Sequence, residues 1–333
     1  MQLIFAKFDA LRTVWAAVAH ATAFLDALGS LAQLASRPGY CRPNILDCPP
    51  DKSPCIRIEQ GRHPCIENTP TSGEFVPNNL KLGGSGSGES EMVLLLSGPN
   101  MGGKSTLLRQ TCLIYILAQI GGFVPAESCD LTPIDKVFTR LGASDRILLG
   151  QSTFFVELAE TAAALRGASR RSLVLFDELG RGTSSFDGTA IASACLSYIC
   201  SNLKCLALFA THYHSLLNEW KHDSKVRLGH MESVVNDDDN DDQDNITFLY
   251  TLGKGACPKS FGVNVARLAR LPEEVLNNAQ RISIEFEEEM NMTGSSSKIA
   301  PNKAVEQKHY ITELIREGKV GDIEALWEEL QKH

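Results

Sequence analysis

The chain has 333 residues, of which 43% are hydrophobic and 22% charged, with a formal net charge of −8 and a pI near 5.6. That length suits about two domains with a substantial core, and the composition excludes a disordered chain. The acidic balance excludes a global attraction to nucleic acid, so contact with DNA needs a local basic patch or another part of a larger assembly.

From the amino terminus, residues 5–34 are rich in Ala and Leu and free of Pro, and Phe8, Leu11, Trp15, Val18, Ala21, Leu25 and Leu28 recur at three- and four-residue steps. This predicts helix. A lone helical segment closes no core, so it is expected to belong to a larger helical region. The prolines at Pro38 and Pro43 and the glycine at Gly39 end it. From Ile56 the pattern shifts to short strands at residues 56–58 and 74–76, divided by Gly61-Arg62-His63-Pro64 and by Pro77, which predicts a small sheet edge or hairpin. Residues 83–90, nearly all Gly and Ser, read as a solvated loop.

The next stretch organises the rest. An apolar strand at residues 92–96 runs into Gly98-Pro99-Asn100-Met101-Gly102-Gly103-Lys104-Ser105-Thr106, and a helix pattern follows at 107–120. Strand, glycine-rich loop and helix at this spacing fit a phosphate loop, in which backbone N–H groups curl around the β-phosphate. Lys104 then bridges the β- and γ-phosphates, Ser105 offers its hydroxyl to Mg²⁺, and the helix points its N-terminal dipole at the anion.

Downstream, strands at 136–141, 173–176 and 206–210 alternate with helices at 157–165 and 188–198, which predicts a mostly parallel sheet covered on both faces. Strands near 227–231 and 246–252 flank residues 236–245, where six Asp occur in ten residues without the mid-loop Gly of a calcium site, and this reads as a solvated loop. Helices are predicted at 263–270 and 272–289, the second opening with Pro272, Glu273 and Glu274, then a linker at 291–303 and a terminal helical pair at 310–316 and 322–332. The ten cysteines include no C-x-x-C pair, and Cys195, Cys200 and Cys205 lack zinc-ligand spacing, so reduced thiols are expected. No apolar run reaches about 18 residues and the first residues lack the order of a signal peptide, which suggests an intracellular, soluble protein.

A second half of the site is expected where the alternating pattern requires it. The buried strand at 173–176 ends in Asp177 and Glu178, and ligands bind beyond the carboxyl ends of such strands. Asp177 is the candidate for the Mg²⁺ shell and Glu178 for the carboxylate that orients and deprotonates the attacking water. His212, at the end of the strand at 206–210, is placed to bond the γ-phosphate or that water.

These residues carry a resemblance. Gly98 through Thr106, Ser152-Thr153-Phe154-Phe155-Val156-Glu157, Asp177-Glu178-Leu179-Gly180-Arg181-Gly182-Thr183 and Thr211-His212-Tyr213 together resemble the ATPase domain of the MutS mismatch-repair family. Wider runs at residues 131–145, 226–231 and 254–260 look like its eukaryotic homologue-six type, and the resemblance extends from residue 1 to about residue 289. It implies an α/β fold, a P-loop NTPase of the ABC-ATPase type at residues 46–255, with the end of a helical lever region at 1–45 and a C-terminal helix-turn-helix dimerisation region at 256–333. It implies ATP as substrate, Mg²⁺ as cofactor, and hydrolysis coupled to DNA mismatch recognition in the nucleus, with a MutS homologue two type subunit as the other half of a heterodimer. Lys104, Glu178 and His212 then form the catalytic set, and Ser105 and Asp177 hold the metal. Asn100 contacts the γ-phosphate, Phe75 and Val76 sandwich adenine, and Tyr250 stands where some relatives carry a His near that base. Ser152 reaches across to the partner's nucleotide, and Glu157 and the loop at 179–184 belong to the same interface.

By the same resemblance the mismatch-reading domain, the connector and most of the lever and clamp lie outside these 333 residues, so this chain by itself is not expected to read a mismatch. Two other readings stand beside it. A transporter or chromosome-maintenance motor carries an L-S-G-G-Q-like signature before the Asp-Glu strand, where this chain has Ser152-Thr153-Phe154-Phe155. The alternative from a non-enzyme class is a non-hydrolysing platform for nucleotide binding and dimerisation.

Overall fold

The computed structural model describes residues 2–49, 53–67, 74–84, 91–142, 152–235, 246–257 and 261–296. The acidic loop at 236–245, the terminal helical pair and most of the Gly/Ser loop lie outside them. The described residues fall into two compact units that divide between Val265 and Ala266.

The amino-terminal helix forms in two pieces, α1 (Gln2–Ala10) and α2 (Arg12–Ala35), because Leu11 leaves helical geometry at φ −102°, ψ 14°. Phe8 and Trp15 stack across the break with ring centroids 5.4 Å apart. None of α2 is buried, so the apolar stripe predicted there faces outward. By length and composition α2 is long and apolar enough to cross a membrane, against the expectation that no apolar run reaches such a length.

Two sheets follow. The smaller has the order β1 (Asn44–Ile45), β5 (Ser128–Leu131), β2 (Cys55–Gly61), β3 (Asn78–Gly83). The strand predicted at 74–76 is not formed; the ladder begins beyond Pro77, which has no N–H to donate to it. β2 and β3 pair antiparallel, while β5, unforeseen in the sequence, fills the place between β1 and β2.

The larger sheet has the order β10 (Ile246–Lys254), β9 (Val226–Val235), β4 (Val93–Ser97), β8 (Leu206–Ala210), β7 (Leu173–Asp177), β6 (Val137–Arg140). Every pair is parallel except β10 with β9. All residues of β4 and β8 are buried, so both faces of the sheet centre are covered, and this is why those strands read as unbroken apolar runs. Phe176 meets Phe209 edge to face at 5.8 Å inside that core.

Of the helices, α3 (Lys104–Gln119) follows the glycine loop. α4 (Thr153–Gly167) and α5 (Ser185–Tyr198) begin earlier than apolar periodicity indicates, because Ser152 and Ser184 cap them by accepting from Phe155 N and Asp187 N. A π-helical turn at Ile199–Leu203 ends α5, and α6 (His214–Trp220), not foreseen, follows β8. α7 (Gly262–Leu268) straddles the division between the units. α8 (Glu273–Ser296) continues through the first residues of the predicted linker, since Asn291, Thr293 and Gly294 weaken a helix without breaking it as Pro would. None of the ten cysteines is joined in a disulfide, and burial pushes the thiols of Cys129, Cys200 and Cys205 up to about 12.

Candidate nucleotide site

Strand register brings the separate motifs to one level. Leu96 of β4 lies beside Ala210 of β8, and Ala210 beside Asp177 of β7. Consequently Gly98, His212 and Glu178, each one or two residues beyond these positions, emerge together at the carboxyl ends of three adjacent parallel strands. Two cross-links hold the level: Thr211 N donates to Leu96 O at 2.9 Å, and Glu178 N to Ala210 O at 2.9 Å.

The glycine loop leaves β4 through Gly98 at φ +131°, where a Cβ would lie 3.1 Å from Met231 N of β9, so only Gly fits that turn. It closes at Gly103, and α3 starts at Lys104 with its first N–H groups turned into the loop. Lys104 is 4% exposed, and its ammonium donates to Gly98 O at 2.8 Å and Pro99 O at 3.0 Å. Burial lowers its pKa, opposed by the charges of Glu178 and Asp177.

Ser105 Oγ donates to Asp177 Oδ2 at 2.5 Å, which joins the two predicted metal ligands. Asp177 Oδ1 is buried with no hydrogen-bond partner among the described residues. An unpaired carboxylate oxygen beside a hydroxyl at the end of a phosphate loop is the donor set a hard divalent cation takes, so these residues fit Mg²⁺.

Glu178 sits at φ +56°, an uncommon conformation for a side chain of its size. Its Oε1 lies 2.5 Å from His212 Nε2, and its Oε2 accepts from Arg181 at 2.7 Å. The hydrogen bond from His212, then the charges of His212, Lys104 and Arg181, hold the carboxyl at about 2 against the cost of burial.

At the other end of the loop, Tyr250 of β10 comes within 3.5 Å of where a Cβ on Gly103 would lie, and its φ is +57°. Phe75 and Val76, half-buried, precede β3, and the Asn78 side chain bonds both Val76 O and Tyr250 O. The candidates of the nucleotide set, including Asn100, Met101, Gly102 and Thr106 of the loop itself, are therefore brought together.

Ser152 stands apart, exposed at the start of α4, with its hydroxyl accepting from Phe155 N at 3.2 Å. The resemblance assigns Glu157 to an interface between subunits, yet its carboxylate is buried within this chain. It accepts from Gly180 N at 2.5 Å and pairs with Arg140 at 3.4 Å. A carboxylate is buried here because a cation and a backbone donor compensate it. Asn78, the contact of Arg181 with Glu178 and this inward role of Glu157 were not found from sequence. Only Arg181 had a local signal, its position three residues after Glu178.

Fold and site together define a P-loop ATPase-type α/β domain. Residues 94–287 match the domain described as MutS domain V, and the chain belongs to the MutS family. It is 50% identical over 293 residues to the DNA mismatch repair protein Msh6 of Gallus gallus, covering 86% of this chain and 22% of that protein. Against Msh6 of Homo sapiens it is 50% identical over 294 residues, with 86% and 22% covered. Against the DNA mismatch repair protein MSH3 of Pyricularia oryzae it is 48% identical over 279 residues, with 80% and 24% covered. The chain thus spans 22–24% of the length of these curated relatives.

Proposed function

We propose that the chain binds ATP on the loop from Gly98 to Thr106 and hydrolyses it, as the nucleotide-driven part of a mismatch-repair assembly. The observation that carries this reading is the shared level of Lys104, Ser105 with Asp177, and Glu178 with His212 at the ends of β4, β7 and β8. Lys104 binds the β- and γ-phosphate oxygens in place of the carbonyls of Gly98 and Pro99, a charge-assisted exchange for neutral acceptors. Ser105 and Asp177 would hold Mg²⁺, which would neutralise charge on the phosphate oxygens. Glu178 stays ionised across the neutral range and accepts a hydrogen bond from the attacking water. Its carboxylate orients that water and takes its proton. His212 fixes the Glu178 rotamer from Oε1.

The partner in this reading is a MutS homologue two type subunit, in the nucleus, with mismatched DNA bound by domains outside this chain. Ser152 donates to the partner's nucleotide. Exposed aromatic side chains at the starts of α4 and α5, Phe155 at 55% and Phe186 at 82%, support docking there. On the same reading α1 and α2 are the end of a lever, and α7 and α8 form a dimerising helix-turn-helix. The non-hydrolysing platform has one observation in its favour: both Glu178 oxygens are engaged within the chain, by His212 and Arg181.

Single-turnover hydrolysis in the assembled heterodimer separates the two. Glu178→Gln keeps the shape and one acceptor, and is expected to bind ATP and retain it. Lys104→Ala loses a charge-assisted contact worth about 1.5–3 kcal/mol and is expected to bind ATP at least tenfold more weakly while remaining folded. Wild-type turnover by the Gln variant removes Glu178 from the reaction, and absence of turnover in the wild-type dimer leaves the platform.

A further inference from the structure

We propose that Asn78 is the positioning residue of the adenine end of the site: one buried side-chain amide holds Val76 and Tyr250 in the arrangement that receives the base. This rests on the nucleotide reading above and adds to it a residue at the first position of β3.

The geometry is a break in one strand filled from another. Phe248 of β10 pairs with Ser233 of β9, and Leu252 pairs with Met231, so residues 249–251 leave the ladder opposite the single residue Glu232. The backbone groups displaced there need other partners. Asn78, 6% exposed, supplies them. Its Oδ1 accepts from Leu252 N at 2.7 Å, and its Nδ2 donates to Tyr250 O at 2.8 Å and to Val76 O at 3.4 Å. An amide presents donor and acceptor on one short planar group, which Asp, Ser or Leu at this position does not reproduce.

The consequence falls on Tyr250. Its φ of +57° is unfavourable for an aromatic residue and persists where the surroundings over-determine it. The bonds to its own carbonyl and to the N–H two residues on pin the chain where it leaves that conformation. Held this way, the ring lies against Gly103 and remains 44% exposed. The third bond reaches Val76, so the segment with Phe75 and Val76 is tied to the same atom that ties Tyr250. An aromatic side chain and a half-buried apolar segment, fixed beside a phosphate loop, suit a flat heteroaromatic base. The phosphates are bound by other atoms.

That division supplies the test. Isothermal titration of the 333-residue chain in Mg²⁺ compares ATP with tripolyphosphate, which carries the phosphates and no base. Asn78→Leu is expected to weaken ATP by about tenfold or more and tripolyphosphate by no more than about twofold, since buried partners are lost only at the base end. A purely structural role lowers the melting temperature and weakens both ligands equally, and that result overturns the proposal, as does unchanged ATP affinity. Should Asn78→Leu fail to fold, Asn78→Asp, which keeps the acceptor for Leu252 N and loses both donors, is measured against the same two outcomes. A wild-type chain that binds ATP no more tightly than tripolyphosphate refutes the nucleotide reading itself, and the role of Asn78 falls with it.

Discussion

Removing the Glu157 side chain tests how α4 is joined to the turn that carries Glu178. The carboxylate is buried, its side chain 6% exposed, and it satisfies two groups that have little else: Gly180 N at 2.5 Å and Arg140 at 3.4 Å. Gly180, at φ +93°, faces the Gly188 backbone so closely that a Cβ would lie 2.6 Å from Gly188 O, so the turn has no room to redirect its N–H toward another acceptor. Orphaning a buried N–H costs about 1–3 kcal/mol. Breaking a buried ion pair from one side costs about 3–5 kcal/mol, here reduced because Arg140 keeps Glu160 at 3.6 Å. Glu157→Ala is therefore expected to lose about 3–4 kcal/mol, a large part of the roughly 5–15 kcal/mol that a domain possesses. Glu157→Gln keeps an acceptor for Gly180 N and loses only the charge, for about 1–2 kcal/mol. Urea unfolding followed by circular dichroism reads both values. With a slope of about 3 kcal/mol per M, the Ala midpoint moves by roughly 1 M and the Gln midpoint by about 0.3–0.7 M. An Ala variant within about 1 kcal/mol of wild type, or a Gln variant as damaged as Ala, refutes the clamp.

Two further outcomes follow from the site. Ser152→Ala in a heterodimer whose own-site hydrolysis is silenced by Glu178→Gln is expected to slow hydrolysis at the partner's site and to leave ATP binding by this chain unchanged. A lowered melting temperature of about 0.5–2 kcal/mol equivalent with an unchanged partner-site rate would assign Ser152 only the helix cap seen at Phe155 N. Acid stability should depend on His212. A carboxyl depressed to about 2 contributes stability that is fully present above its ordinary value of 4.5 and is lost as pH falls through about 2. The full shift is worth about 3 kcal/mol, and solvent screening at the exposed His212 side reduces this to about 1–2 kcal/mol. His212→Ala should flatten the fall in unfolding free energy, read from urea titrations, between pH 5 and pH 2.5 by that amount, and an identical fall in both proteins would show that the bond from His212 is not what depresses Glu178.

Much of the site was legible because its parts are contiguous. The loop from Gly98 to Thr106 carries its turn glycine, its cation and its helix start within nine residues, and Asp177 and Glu178 follow an apolar strand without a gap. Helix starts were less legible: Ser152 and Ser184 cap α4 and α5, which begin four and three residues before the apolar periodicity indicates. The strand at 74–76 was misplaced because apolar residues before a proline satisfy a strand pattern while the ladder needs an N–H that Pro77 does not have.

What the sequence determined by itself, then, was each local piece of chemistry: the phosphate loop, the acidic strand end, the histidine beyond β8, and through their pattern the family. Tertiary structure alone decided which pieces meet. The level of Leu96, Ala210 and Asp177 is a property of three strands drawn from distant parts of the chain. Glu157, polar on a helix that sequence alone allows to face solvent, turns inward because Arg140 and Gly180 N wait there. Asn78 finds its partners 172 and 174 residues away. Helix and turn preferences act over a few residues, whereas the choice of a hydrogen-bond partner at such a separation is made by the packing of the whole core, and no local pattern around Asn78 encodes it.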